Sequence, residues 1–487
     1  MLLLMPKVTK ILILLLIATA VIFPRILDLD AFETADEKRW VSNTVGFVSN
    51  LAHGEWGHLM QQPHPGITTQ WLGSSTIFSD SWTVRKLPLV LGQSVLLLFI
   101  CYVFWRLTNT RTALFIILLL ALNPLLIAHT RVYAMDSLLS LFLVLSIPLL
   151  LLWHQSKSWR YLFLSAFAAA AAILSKISGI IIVPFVFILL IAPTFKKVAT
   201  IRPSFKSLVL WLVSFLISLM IILPSFALNT REVVTDILTW LKSDDYMLHQ
   251  IGPWYYLRTI IFFSTPLHLF ALLIAPFFLF SKKIPSRLKI ILLVFLIFAL
   301  LFTIQMSLGS KKGDRYILPV FLCLDIVTAL VATYIFSSKG RYLPLLIAKL
   351  SIAGLVILQA GSLFSLHPHY LSYVNPITQS FFGERRLGWG EGLDLAADYI
   401  NEMPGASELT VASYYPNEFA NYFTGHAVPA HQHDHANVDY VVVYRAMFER
   451  GENAWETDVV NIYRPLSPVK IISISSTSMA WIYEVGE

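Results

Sequence analysis

Ile290-Ile291-Leu292-Leu293-Val294-Phe295-Leu296-Ile297-Phe298-Ala299-Leu300-Leu301-Phe302 holds no charged residue and no hydrogen-bonding side chain. It lies inside an apolar run, 288–307, long enough to cross a bilayer core of about 30 Å, which takes about 20 helical residues. Lipid offers backbone N–H and C=O groups no partner, so such a run reads as helix. Outward from it, comparable runs fall near 8–27, 88–105, 112–129, 137–153, 161–175, 177–193, 208–228, 258–280, 316–336 and 343–363. They predict an all-α polytopic membrane protein with about eleven transmembrane helices. Composition agrees: of 487 residues, 56% are hydrophobic and 13% charged, where soluble domains carry about 25% charged. Cys101 and Cys323 both sit in apolar runs and form neither a disulfide framework nor a zinc site.

The net charge is +7, and the loops explain it. With the N-terminus in the cytoplasm, the inside loops hold Lys7, Lys10, Arg106, Arg111, Lys157, Arg160, Lys196, Lys197, Arg202, Lys206, Lys282, Lys283, Arg287, Lys289, Lys339 and Arg341. That is the positive-inside pattern of a multi-pass plasma-membrane protein, and it removes the need for a nucleic-acid partner. The basic start and Ala18-Thr19-Ala20 resemble a secretory signal; a retained first helix gives the same topology for the rest. Residues 1–363 read as the transmembrane domain, with 28–87 as a long first outer loop. Residues 364–487 are polar, with strands expected at Leu409–Ala412, Tyr440–Tyr444 and Lys470–Ile474 and a helix at Leu393–Met403 before Pro404-Gly405. They predict a small C-terminal α/β extracytoplasmic domain.

The outer junctions carry charges that the orientation rule does not explain. The first outer loop holds Asp28, Asp30, Glu33, Asp36, Glu37, His53, His58 and His64; later ones hold Arg131, Asp136, Lys176, Lys311, Lys312, Asp314 and Arg315. Ionisable groups at helix ends near the membrane are costly and point to function. Acid and base on one face suit a sugar carried on a lipid phosphate. Cations stabilise the departing phosphate, and a carboxylate takes the proton of the acceptor hydroxyl. Nucleotide sugars stay in the cytoplasm, whereas lipid-linked sugars reach the outer leaflet.

Several motifs carry a resemblance. Thr34-Ala35-Asp36-Glu37-Lys38-Arg39-Trp40, just after the first run, resembles the Asp-Glu signature of the GT-C superfamily, which includes protein O-mannosyltransferases and lipid A aminoarabinose transferases. His64-Pro65-Gly66 stands where protein mannosyltransferases have a His-Pro-Pro-Leu-Gly segment, without the second Pro and the Leu. Arg131-Val132-Tyr133-Ala134-Met135-Asp136 and Leu174-Ser175-Lys176-Ile177-Ser178-Gly179 are similar to further segments of that group. So are Gly252-Pro253-Trp254-Tyr255-Tyr256-Leu257, Asp314-Arg315-Tyr316-Ile317-Leu318-Pro319, Tyr370-Leu371-Ser372-Tyr373-Val374-Asn375-Pro376 and Gly388-Trp389-Gly390-Glu391-Gly392-Leu393.

The resemblance implies an inverting hexosyltransferase that moves mannose or a similar sugar from a polyprenyl-phosphate donor to a hydroxyl of a protein, glycan or lipid. It implies Asp36 as catalytic carboxylate, with Glu37 in support. Charge and side assign Arg131, Lys176, Arg315 and Lys312 to the donor phosphate, and His64, Asp136 and Tyr255 to the rest of the substrate. Beside these stand plainer readings: Asp36 as a solvated loop acid, Arg131 as a snorkelling residue or the partner of Asp136, and Lys311 and Lys312 as a polar turn. His426, His431, His433 and His435, with Asp434, have spacing that a metal could use, as could His64 with Asp36 or Glu37. No metal site is assigned; the resemblance allows a divalent cation, which some relatives use. A transporter or flippase for a lipid-linked or anionic solute is the rival reading, although no internal repeat is seen.

Overall fold

A computed structural model describes residues 7–60, 62, 65–191, 205–241, 252–309, 312–338, 343–382, 388–435, 437–450 and 454–485. It divides into two compact units, Met1–Leu27 with Arg39–Ala360, and Asp28–Lys38 with Gly361–Glu487.

The first unit is built from helices α1 (Lys7–Ile26), α2 (Glu37–Ala52), α3 (Ile67–Gly73), α4 (Trp82–Leu107), α5 (Thr110–Leu122), α6 (Pro124–Arg131), α7 (Asp136–Ser156) and α8 (Trp159–Ser175). They are followed by α9 (Ile182–Ile191), α10 (Phe205–Ile222), α11 (Thr230–Leu241), α12 (Tyr255–Phe263), α13 (Pro266–Phe280), α14 (Ser286–Leu308), α15 (Leu318–Ser337) and α16 (Leu343–Leu366). Among the described residues six helices are long and apolar enough to cross a membrane, or eight if two bent pairs each count as one span. The expected eleven spans are not confirmed by that count. The runs at 112–129 and 258–280 are broken, α5 against α6 by 61° and α12 against α13 by 109°. Each break carries the same sequence grammar, a capping residue followed by proline. Asn123 precedes Pro124 and its Oδ1 accepts from Leu126 N. Thr265 precedes Pro266 and its Oγ1 accepts from His268 N. Proline lacks the N–H that would continue the previous helix but fits the first turn of a new one. Three further apolar runs form helices of 10–17 residues, among them Trp159–Ser175.

The interior of this unit is α7 and α15, whose residues are almost all buried. α7 and α8 run antiparallel across a turn whose Lys157 has φ +59°. They approach closely because α8 presents the small residues Ser165, Ala166 and Ala168–Ala172, all buried. Small residues are how membrane helices pack tightly without a hydrophobic driving force. Ser146 and Ser165 exchange hydroxyl-to-carbonyl bonds at 2.9 Å across the contact.

The second unit is α/β. Its helices include α17 (Leu393–Asn401) and α18 (Ala454–Tyr463), and its strands are β1 (Thr410–Ser413), β2 (His426–Pro429), β3 (Tyr440–Tyr444), β4 (Lys470–Ile474) and β5 (Thr477–Glu484). The sheet order is β2-β1-β3-β5-β4. β1 pairs parallel with β2 and β3, and β5 pairs antiparallel with β3 and β4. Val411, Ala412, Val441, Val442, Ala480 and Ile482 form its buried core with Leu393, Ala396 and Ile400 of α17. The segment Asp28–Lys38 folds with this unit. Ala35 N donates to Trp389 O at 3.1 Å, and Asn421 Nδ2 to Glu33 Oε2 at 2.7 Å.

Candidate active site

In the helical unit α7 starts where α8 ends, because the two are antiparallel neighbours. Asp136 at the first turn of α7 therefore meets Lys176, the residue after α8. Lys176 Nζ donates to Asp136 Oδ1 at 2.7 Å, and Arg315 Nε stands 3.7 Å from Asp136 Oδ2. Arg315 comes from the turn Asp314–Ile317 that leads into α15. Lys176 also lies over the Tyr316 ring, 3.6 Å from its centroid, and Arg315 lies 5.4 Å from the same centroid. An aromatic face attracts a cation, most strongly where water is excluded. The carboxylate of Asp136 and the face of Tyr316 thus hold two cations side by side. Lys176 and Asp136 are almost fully buried, whereas the Arg315 side chain is 24% exposed. His129, buried on α6, is within electrostatic reach of Asp136, Arg315 and Lys176.

Two neighbours complete this end. Tyr255 OH and Thr259 Oγ1 of α12 both donate to Asp314 Oδ1, at 2.7 and 3.0 Å. Gly66, at φ +58°, bonds its N–H to Ser175 O at 3.1 Å. An added Cβ there would come within 2.5 Å of the Trp40 ring. Gly66 thus packs against the residue before Lys176, and only glycine fits that approach.

The charges assigned by side do not all converge. Arg131 Nη1 donates to Pro24 O and Leu27 O, at 2.9 and 2.5 Å, which ties α6 to the end of α1. The carboxylate of Asp136 is engaged instead by Lys176 and Arg315. Lys312 Nζ donates to Gly309 O at 2.6 Å, at the end of α14, where the helix dipole favours a cation. His64 and Lys311 lie outside the described residues.

In the α/β unit, Asp36 sits in a tight turn. Glu37 N bonds to Thr34 O at 3.1 Å, and Glu37 Oε2 accepts from Thr34 N at 2.8 Å. A glutamate reaching back three residues to a Thr backbone N–H is half of a capping box. Fully buried Glu37 therefore holds the turn, while Asp36 is only half-buried. Lys38 Nζ reaches Asn417 O and Asn421 Oδ1. Burial and the nearby Asp36 push the Glu418 carboxyl above its ordinary range, against the pull of Lys38. Burial, then Asp394, Glu33 and Glu37, push the Tyr422 phenol up.

The Gly388–Gly392 loop holds the turn from behind. Glu391 Oε2 accepts from Trp389 N at 2.6 Å and from Tyr444 OH at 2.8 Å, and that hydroxyl accepts from Gly390 N at 2.9 Å. Gly390 has φ +122°, and a Cβ on it would stand 2.8 Å from Glu33 O. The motif was visible in the sequence; its partner Tyr444 was hidden in a strand. The histidine-rich segment packs on aromatics, His431 against Trp455 and His433 against Tyr463. Among the described residues no three His, Cys, Asp or Glu are grouped as metal ligands.

Residues 64–226 match the family described as dolichyl-phosphate-mannose-protein mannosyltransferase. ArnT from Cupriavidus metallidurans bound to undecaprenyl phosphate superposes with TM-score 0.54 at 13% identity, over 96% of this chain and 97% of that one. Its apo state gives TM-score 0.50 at 14% identity over the same shares. The apo oligosaccharyltransferase of Archaeoglobus fulgidus aligns over 89% of this chain and 69% of its own, at 11% identity and TM-score 0.49. No curated protein sequence matches significantly. The family match covers residues 64–226, about a third of the chain, and the likeness to ArnT over nearly the whole length of both chains shows a shared fold.

Proposed function

We propose that the protein transfers a hexose, mannose or a similar sugar, from a polyprenyl-phosphate donor to a hydroxyl of a protein, glycan or lipid at the outer face of the plasma membrane, with inversion. The observation that carries this reading is the paired Lys176 and Arg315, fixed by Asp136 and Tyr316 at one end of the bundle. Two preorganised cations beside one carboxylate leave net positive charge for a lipid phosphate. Undecaprenyl phosphate bound to ArnT supports the same class of carrier.

The acceptor oxygen attacks the anomeric carbon while its proton passes to Asp36. The bond from that carbon to the phosphate oxygen breaks, and its electron pair leaves with the polyprenyl phosphate. Lys176 and Arg315 stabilise the charge gained there. Attack opposite the phosphate inverts the centre. Arg131 and Lys312, which hold helix ends, serve the donor less directly; Tyr255 sets Asp314 beside Arg315.

The test is Asp36→Asn in purified protein with matched melting temperature. Transfer should fall about a hundredfold or more; transfer within a few-fold of wild type excludes Asp36 as the base. For the phosphate, Arg315→Gln is the cleaner variant. Removing Lys176 strands a buried carboxylate, which typically costs about 3–5 kcal/mol, whereas Arg315 is partly exposed. Arg315→Gln should weaken donor use, and Arg315→Lys should not fully restore it.

The two broken spans favour one second reading, since transporters also break helices around their sites. A flippase would move labelled polyprenyl phosphate across liposomes without acceptor; the transferase reading predicts no such movement.

A further inference from the structure

The bent spans share one feature that their sequences do not announce. Asp325, in the middle of α15, is 1% exposed. Its Oδ2 accepts from Asn123 Nδ2 at 2.7 Å, and its Oδ1 bonds to His268 Nε2 at 2.7 Å. Asn123 is the residue at the α5–α6 break; His268 stands in the first turn after the α12–α13 break. His268 Nδ1 accepts from Thr265 N at 3.2 Å. Its proton is then on Nε2, directed at Asp325. Asn123 likewise spends its oxygen on Leu126 N and its amide nitrogen on Asp325. Each carboxylate oxygen has one donor, and each donor side chain caps the helix that restarts after a break. A carboxylate buried in a bundle is costly without such partners.

The two restarted or interrupted elements lead to the cation cluster. α6 carries His129 and is followed by Asp136; α12 carries Tyr255 and Thr259, which hold Asp314 beside Arg315. We propose that Asp325 is a positioning residue: one buried carboxylate fixes both helix breaks and so sets the placement of Asp136 and Arg315 around Lys176. The proposal rests on the reading that Lys176 and Arg315 meet the donor phosphate. It adds a requirement that no charge count gives, namely that the phosphate site depends on a carboxylate that touches neither substrate nor cation. Displacing a reacting or stabilising group by about 1 Å can cost about a hundredfold in rate, so a rigid clamp behind the site has a use.

Single-link variants test it in the full chain. His268→Ala frees the α12–α13 break, Asn123→Ala frees the α5–α6 break, and Asp325→Asn keeps one link at most because its amide opposes one of the two donors. Spin labels at Leu257→Cys and Phe277→Cys, both exposed, read the distance across the α12–α13 break. Cys101 is replaced by Ser, and Cys323 is fully buried. The expected result is a broadened distance in His268→Ala but not in Asn123→Ala; Asp325→Asn broadens only if the retained oxygen serves Asn123. Transfer should fall about tenfold or more in all three, in kcat more than in donor KM, at matched melting temperature. An unchanged distance in His268→Ala overturns the proposal. So does a broadened distance with kcat retained, which would make the clamp structural only. If His268→Ala does not fold, His268→Asn repeats the measurement, since its Oδ1 stands where Nδ1 accepts from Thr265 N while its shorter amide falls short of Asp325. If Arg315→Gln transfers normally while His268→Ala broadens and slows, the phosphate reading fails and the clamp stands.

Discussion

Single residues with the same charge play unlike parts here, and the partner decides which. Asp36 and Glu37 are adjacent acids, yet the carboxylate of Glu37 is committed to the Thr34 N–H. Glu37→Gln keeps an acceptor for that N–H, so transfer should stay within a few-fold of wild type. Glu37→Ala should lower stability by about 1 kcal/mol, as lost caps do; a thermal melt read beside transfer activity checks both. A Glu37→Gln loss as deep as that of Asp36→Asn would move the base to Glu37. The sequence made Asp36 and Glu37 look alike because capping needs three-dimensional closure of a turn. It also made Arg131 and Lys176 look alike: both are cations at outer junctions. Only packing shows that Arg131 spends its guanidinium on the carbonyls of Pro24 and Leu27, while Lys176 faces Asp136 and Tyr316.

At the level of elements, the helices were legible from apolar periodicity, but where they break was not. Asn123-Pro124 and Thr265-Pro266 are stop-and-start signals inside runs that hydropathy averages smooth over. Asp325 is the only charged residue in α15, a signal that reading 316–336 as an apolar run passes over. In the sheet, β3 and β4 follow from their β-branched residues. β2 is a four-residue edge strand ending in proline, and β5 mixes Ser, Met, Ala and Trp, so neither has a clean alternation. The Gly388–Gly392 loop is the element that supports the Asp36 turn. Gly390→Ala would force a left-handed backbone that side chains resist, at about 1–3 kcal/mol, and would push on Glu33. We expect transfer to fall about tenfold or more, with expression retained; wild-type kcat in Gly390→Ala would show that the loop does not position Asp36.

For the molecule as a whole, the basic loops argue for an orientation that labelling can check. A cysteine placed at exposed Lys283 should react only from the cytoplasm, and one at exposed Glu402 only from outside. Outside labelling at Lys283 would overturn the outer-face reaction. The helical membrane fold with its small α/β unit was open to a reader of the sequence because lipid exposure is a one-dimensional property. The cation cluster was half open: its members carry charge, but their grouping comes from antiparallel α7 and α8 and from the turn before α15.

Asn421 bonds to Glu33 across 388 residues of chain, and Trp389 holds Ala35. A ribosome threading this protein into the membrane would release the Asp36 turn long before the residues that brace it have been synthesised. The nascent protein would then carry Asp36, the carboxylate proposed as base, on an unsupported segment until Trp389 and Asn421 have emerged. Premature termination, even well beyond the final apolar run, would leave the helices in the membrane and the Asp36 turn without its braces.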